Sequence, residues 1–190
     1  KQIFTRASLL TRDRGNLLPL SPKNNILAVE QYIQLYHEKC NDNWYFPGMF
    51  GLAVKKYAPN TEYLETNTPP DEEDTRRFRE RMKKADVVFF FNIFWRGSES
   101  NRKLIREAVR AGNKVIVATN DLYDNYFLPE VDTVVCTFGA VPGGLQAAAE
   151  IVFGKQKAQG RWPLSEISKT DEAPENQRTE HAVAGHFSKR

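Results

Sequence analysis

Apolar and polar positions fall in blocks along this chain. Residues 25–29 (NILAV), 86–91 (DVVFFF), 114–118 (KVIVA) and 133–138 (TVVCTF) are short, nearly continuous apolar runs. Runs of that length, rich in β-branched and aromatic residues, predict strands buried on both faces. The run at 86–91 is the most apolar and is expected at the centre of the sheet. Residues 61–65 (TEYLE) alternate and predict an edge-like strand, while residues 8–11 read as a short extended run. Between these runs the spacing turns helical. Phe50, Val54 and Tyr57 share one side of a helix that Pro47 opens and Pro59-Asn60 stops. Phe78, Met82 and Ala85 make a narrow stripe on a surface helix capped by Asp71, with Glu72, Glu73 and Asp74 at the positive end of its dipole. Leu104, Ile105, Ala108 and Val109 face the sheet from a helix capped by Ser98 or Ser100 and ended by Gly112.

The stretch 131–164 repeats this logic once more. A strand runs into a glycine-bearing loop at 139–144, and a helix follows with Leu145, Ala148, Ala149, Ile151, Val152 and Phe153 on a broad apolar face. Gly154 sits where a left-handed C-cap belongs, and residues 160–164 (GRWPL) read as an extended closing segment. Strands alternate with helices at least four times, which predicts an α/β fold: a mostly parallel sheet with helices on both faces. Residues 1–164 are expected to form a single α/β domain, and 165–190 a polar tail or surface wrap.

Composition narrows the classes. With 190 residues, 41% hydrophobic and 27% charged, the chain has the makeup of a globular domain. No apolar run approaches a membrane span and no signal peptide is visible, although the start at Lys1 is consistent with a removed export signal or a longer protein that has been cut. The net charge of +3 is too small to argue for nucleic acid. The basic cluster Arg76, Arg77, Arg79, Arg81, Lys83 and Lys84 reads as a solvated helical face matched to the dipole. Cys40 and Cys136 make no metal-ligand pattern, and Cys136 reads as a small core residue. This favours a reducing, cytoplasmic compartment and leaves secretion open.

In open α/β sheets, ligands bind outside the carboxyl ends of the strands. That rule selects Glu30, Tyr32 and His37 after the first buried strand; Asn92, Trp95, Arg96 and Glu99 after the central one; Asn120, Asp121 and Tyr123 after the next; and Phe138 after the last. Asn92, Arg96 and Asn120 with Trp95 and Tyr123 compose a sugar-type surface, with planar donors for hydroxyls and rings for apolar sugar faces. The same residues equally serve as caps, loop anchors or contacts to another domain. Glu99 and Asp121, with Glu30 beside them, are the acids available for a carboxylate pair. The motifs for a dinucleotide site, a phosphate loop, a flavin phosphate cradle, a receiver-type acidic pocket and a G-x-S-x-G elbow are all missing. His37, His181 and His186 are scattered and read as surface residues. No cofactor and no metal are expected.

The stretch TVVCTFGAVPGGLQAAAEIVFGKQKAQGRWPL resembles the end of the C-terminal α/β domain of family-three glycoside hydrolases. There a strand, a small loop and a helix lead into F-G-x-x-x-x-x-G-x-x-P-hydrophobic, matched here by Phe153-Gly154 and Gly160-Arg161-Trp162-Pro163-Leu164. The segment ASLLTRDRGNLLPLS is similar to that domain's opening segment. The resemblance covers roughly residues 8–164 and implies a flavodoxin-like sheet, an N-terminal catalytic barrel as partner, and a carbohydrate ligand. It also implies that the barrel carries the nucleophile. In the β-glucosidase branch a Glu of this domain can act as acid/base, and Glu99 is the positional candidate. The E-G-x-D-R-like phrase of that branch is absent, so the β-N-acetylhexosaminidase-like branch is favoured and no catalytic residue is assigned. The expected role is an accessory, non-catalytic domain; the alternative is a free-standing carbohydrate-binding or protein-interaction module. A domain separated from a barrel is expected to expose apolar surface, with Trp44, Tyr45, Phe46 and Trp95 its candidates.

Overall fold

The apolar runs become strands lying side by side in the computed structural model, which describes residues 2–32, 48–93 and 101–162. The strands are β1 (Leu9–Asp13), β2 (Ile26–Gln31), β3 (Glu62–Thr66), β4 (Val87–Asn92), β5 (Lys114–Thr119) and β6 (Thr133–Cys136). Among the described residues they form one sheet in the order β1-β6-β5-β4-β2-β3. β2 through β6 pair in parallel, with Ala28 opposite Phe89 and Phe90 opposite Val117, and only β1 runs antiparallel, with Leu9 opposite Cys136. The parallel strands taken alone follow the flavodoxin-like order 2-1-3-4-5, whose switch point lies between β2 and β4.

The helices are α1 (Gln2–Ala7), α2 (Met49–Lys55), α3 (Glu72–Met82), α4 (Arg102–Arg110), α5 (Asp124–Phe127) and α6 (Pro142–Val152). Side chains alternate across the strands, so two cores form. Ala28, Phe89, Phe91, Ile116 and Val135 meet Phe50 and Val54 of α2 and Leu145 and Ala148 of α6. On the opposite face Val29, Val88, Phe90, Val117 and Val134 meet Phe78 of α3 and Leu104 and Ile105 of α4. Each core has an aromatic contact at its centre: Phe50 stands edge-on to Phe89 at 4.8 Å, and Phe78 lies 5.7 Å from Phe90. Burying one such ring contributes about 2–3 kcal/mol.

Local chemistry sets the helix boundaries. Asp71 caps α3 by accepting the Asp74 N–H at 2.8 Å, while Asp74 accepts the Asp71 N–H in return. Gly154 adopts φ 65 and stops α6, as its spacing predicts. The helix α6 begins earlier than the glycines suggest. Pro142 supplies the first helical φ. Gly144 lies inside the first turn because a Cβ there would sit 2.3 Å from the Gly139 carbonyl oxygen. That glycine answers a close approach, not a helix break. The stretch after β5 carries the short helix α5, which like α1 has no counterpart in the apolar pattern. Val109 of α4 is only half-buried, whereas Leu104, Ile105 and Ala108 are buried. The predicted caps Ser98 and Ser100 lie outside the described residues, as do Pro47 and residues 163–190.

Other parts of the chain make contacts at both sheet edges. Just before β1, the Gly160 N–H donates to the Ser8 carbonyl at 2.8 Å, so the closing segment lies against the opening one. The buried Arg12 guanidinium donates to the carbonyls of Leu128, Val131 and Asn125. At the other edge, Arg81 Nη1 donates to the Tyr63 carbonyl at 2.6 Å and Arg77 Nη2 to the Glu65 carbonyl at 3.3 Å. Guanidinium groups of α3 thus occupy carbonyls of β3 that would otherwise invite another strand.

Candidate functional site

Each parallel strand ends on a polar or sulfur-bearing residue: Gln31, Thr66, Asn92, Thr119 and Cys136. None is more than 1% exposed. Polar side chains buried at that depth need partners, and they find them in the loops and helix starts above the sheet. Gln31 Oε1 accepts the Ile93 N–H. Thr66 Oγ1 donates to Asn101 Oδ1 at 2.8 Å, which brings the start of α4 across to the end of β3. Asn92 Nδ2 and Thr119 Oγ1 both donate to Asp124 Oδ2, at 2.6 and 2.7 Å. Arg102 Nε donates to the other carboxylate oxygen at 3.0 Å, and the guanidinium lies 4.2 Å from the centre of the Phe127 ring. The Asp124 side chain is fully buried and that of Arg102 is 15% exposed.

Two buried atoms of this layer, Asn92 Oδ1 and Asn101 Nδ2, have no hydrogen-bond partner among the described residues. Leaving a buried polar atom unpaired costs about 1–3 kcal/mol. One of these atoms is an acceptor and the other a donor.

Above the layer lie the more open side chains. Asn120 and Asp121 are half-buried after β5. Asp121 Oδ1 accepts the Tyr123 N–H at 2.8 Å. Burial raises the Asp121 pKa and the neighbouring Asp124 adds to the rise, while the Tyr123 N–H and Arg102 oppose it. Tyr123 is 49% exposed and Phe138 43%, so rings stand at the carboxyl ends of both β5 and β6. Phe138 adopts φ 55, a left-handed conformation uncommon for a bulky side chain. Burial pushes the Cys136 thiol up to about 12 despite the Phe138 N–H directed at it, which keeps it protonated and unreactive near neutral pH.

The structure separates most of the sequence-selected residues into three groups, with Tyr32 just past β2, its N–H donating to the Thr66 carbonyl. Asn92, Asn120, Asp121, Tyr123 and Phe138 share the carboxyl end of the sheet. Glu30 does not belong to a loop: it lies within β2, fully buried, and Oε2 accepts the Phe50 N–H at 3.0 Å at the start of α2. Trp95, Arg96 and Glu99, along with His37, His181, His186, Trp44, Tyr45 and Phe46, lie outside the described residues. Sequence reasoning missed Asp124, Arg102, Asn101, Thr119, Thr66 and Gln31. The signal was available for the strand residues, because each apolar run ends on a side chain able to hydrogen-bond. Three arginines of α3 are matched by acids: Arg76 bridges Glu73 and Glu80, Arg77 pairs with Asp74, and Arg79 reaches Glu107 of α4.

Among the described residues no group of three metal-ligating side chains converges, and no helix is long and apolar enough to cross a membrane. A groove of about 240 Å³ lies at the opposite, amino end of the sheet, lined by Asn25, Asn60, Glu62, Arg81 and Lys84. The carboxyl edge itself offers hydrogen-bonding side chains and aromatic faces.

No protein-family model and no curated protein matches the sequence. Solved structures match the fold. A fungal multi-domain GH3 β-N-acetylglucosaminidase is 22% identical over 86% of this chain and 18% of its own, with a TM-score of 0.60. A family 3 β-N-acetylglucosaminidase from Paenibacillus sp. str. FPU-7 is 18% identical over 84% of this chain and 30% of its own, with a TM-score of 0.66. The chain shares its fold with a part of family-three glycoside hydrolases. A β-glucosidase from Listeria innocua, solved with isofagomine, gives the same picture at 15% identity, with 82% of this chain and 25% of its own covered and a TM-score of 0.63. The chain therefore spans less than a third of the length of each of these proteins.

Proposed function

We propose that the chain is the C-terminal α/β domain of a family-three glycoside hydrolase. In this reading it is an accessory, non-catalytic unit that packs on a catalytic barrel and walls part of its sugar site with the carboxyl edge of its sheet. The observation that carries the reading is the domain-sized match: most of this chain aligns with less than a third of two GH3 β-N-acetylglucosaminidases. Substrates with β-linked N-acetylglucosamine are favoured over β-glucosides, because those two neighbours share 22% and 18% of their residues with the chain, against 15% for the β-glucosidase. Asn120 and Tyr123 contribute to the wall, together with Trp95 and Arg96, and Asn92 supports it from beneath. Two of the three acids considered for a carboxylate pair are engaged by backbone N–H groups, Glu30 by Phe50 and Asp121 by Tyr123. This favours an accessory role.

The test is hydrolysis of an aryl β-N-acetylglucosaminide by the 190-residue chain alone. No turnover is expected. Turnover that Glu99→Gln abolishes would overturn the accessory reading. The parent reading frame upstream of Lys1 is expected to encode a barrel; a complete frame without one favours the free-standing binding module.

A further inference from the structure

The glycines of the loop at 139–144 leave a hollow, and the chain fills it with a ring from α1. A Cβ on Gly139 would lie 2.9 Å from Phe4 Cε1, and one on Gly143 would lie 2.6 Å from Phe4 Cδ2. Opposite edges of the Phe4 ring thus press on the two glycines, and a methyl group at either position would collide with it. Phe4 is itself held firmly. Its carbonyl accepts the Ser8 N–H at 2.8 Å and the Ser8 hydroxyl at 2.6 Å. The Gly160 N–H donates in turn to the Ser8 carbonyl, and a Cβ on Gly160 would stand 2.2 Å from the Ala7 carbonyl oxygen. The closing segment therefore pins the end of α1.

Phe138 is the residue this brace leaves outside. Thr137, before it, is buried and fixed to β5. Its N–H donates to the Thr119 carbonyl at 2.8 Å, and its hydroxyl lies 3.2 and 2.9 Å from the Thr119 and Gly139 carbonyls. Gly139, after it, lies against Phe4. With both neighbours held, Phe138 makes the turn between them at φ 55, a conformation that a bulky side chain adopts only where its surroundings impose it. The ring is nonetheless 43% exposed, so the strained turn serves a ring that faces outward. The adjacent strand β5 leads to Asp121. Both the Asp121 carboxylate and the Phe138 N–H act on the buried Cys136 thiol, which places them close together at the carboxyl edge. An outward ring beside acceptor oxygens suits a pyranoside, which offers an apolar C–H face bordered by hydroxyls.

We propose that Phe4 is a positioning residue: seated between Gly139 and Gly143, it holds the loop that turns the Phe138 ring outward, and that ring stacks on the apolar face of a pyranoside beside Asp121. The sugar half rests on the proposed function above; the brace itself does not.

Hydrogen exchange of the full 190-residue chain, read on the peptide spanning 137–144, tests the brace. Phe4→Ala removes the ring, Gly143→Ala pushes it from its seat, and Phe78→Leu opens a cavity in the opposite core. Each variant is also melted. Phe4→Ala and Gly143→Ala are expected to raise exchange in that peptide roughly tenfold, and Phe78→Leu to lower Tm without moving it. In the double variant the methyl group meets no ring, so its added effect is expected to vanish. Unchanged exchange in both single variants, in proteins that still melt cooperatively, would overturn the brace. So would additive effects in the double variant, or an equal rise in Phe78→Leu. Saturation transfer from the protein to methyl β-N-acetylglucosaminide reads the stacking separately. Transfer to one face of the pyranose ring is expected in the parent, lost in Phe138→Ala and weakened in Phe4→Ala. Transfer that survives Phe138→Ala leaves the sugar-binding edge in place and overturns the assignment to Phe138. If the parent shows no transfer while Phe4→Ala still loosens the loop, the brace stands and the sugar half falls.

Discussion

The two ends of this sheet are built on opposite terms. At the carboxyl end, Gln31, Thr66, Asn92, Thr119 and Asp124 are buried and bound to one another or to the loop bases. At the amino end, Glu62 and Lys84 face solvent, and Arg81 donates to a β3 carbonyl. Both ends are polar in composition, so composition does not distinguish them; burial does. A charge in water is inexpensive, whereas a buried one must be matched by its surroundings. The carboxyl end gathers most of that cost, with Arg12 and Thr133 as buried, hydrogen-bonded exceptions near the amino end of β6, and it is the end where α/β sheets place ligands. That asymmetry, more than any single residue, locates the candidate site.

The largest test of the contrast is Asp124→Ala. It strips three donors of their acceptor and leaves the Arg102 guanidinium, 15% exposed, without its carboxylate. Breaking a buried pair by removing one partner costs about 3–5 kcal/mol, and urea denaturation is expected to show a loss of that size. A loss below about 1 kcal/mol, the range of an exposed pair, would mean that the carboxyl end is no more demanding than the amino end.

Asp121 gives a smaller, pH-dependent test on the open side of the same end. Its folded pKa is raised, chiefly by burial. The folded state therefore binds its proton more tightly than the unfolded state, and the associated stability is present at acid pH and lost as pH rises through the folded pKa. Asp121→Asn keeps an oxygen for the Tyr123 N–H and removes the ionisation. The variant is expected to melt above the parent at pH 7, with the difference closing as pH falls below the ordinary carboxylate range. A difference that persists unchanged in acid would assign the effect to packing and not to charge.

How much of this was readable beforehand depends on the kind of contact involved. Strands were readable because β2, β4, β5 and β6 are buried on both faces and so appear as unbroken apolar runs. The α3 cap was readable because Asp71 and Asp74 act within one turn. Gly154 was readable because a left-handed C-cap is a local demand. Glu30 was misplaced because an acid at the end of an apolar run looks like the first loop residue; its partner, the Phe50 N–H, lies twenty positions away and leaves no mark on the local pattern. The start of α6 was placed too late because Gly144 resembles a helix breaker in the one-dimensional pattern, when its real constraint is the Gly139 carbonyl. The Asp124 cluster was invisible for the same reason as Glu30. Its donors come from positions 92, 102 and 119, and no periodicity joins them.

The smallest expected effect closes the comparison from the other side. Lys84 lines the amino-end groove, is exposed, and sits just past the end of α3. Truncating it to alanine removes one exposed charge and no buried partner. Surface changes of that kind fall within about 0.5 kcal/mol of zero, and Lys84→Ala is expected there. Arg81→Ala sits one step higher, because it exposes the Tyr63 carbonyl that the guanidinium now covers, for a loss of about 1 kcal/mol. The telling measurement is the pair of variants together. If Lys84→Ala proved as damaging as Asp124→Ala, the groove would be a built site in its own right, and the candidate site would move from the carboxyl edge to the amino edge of the sheet.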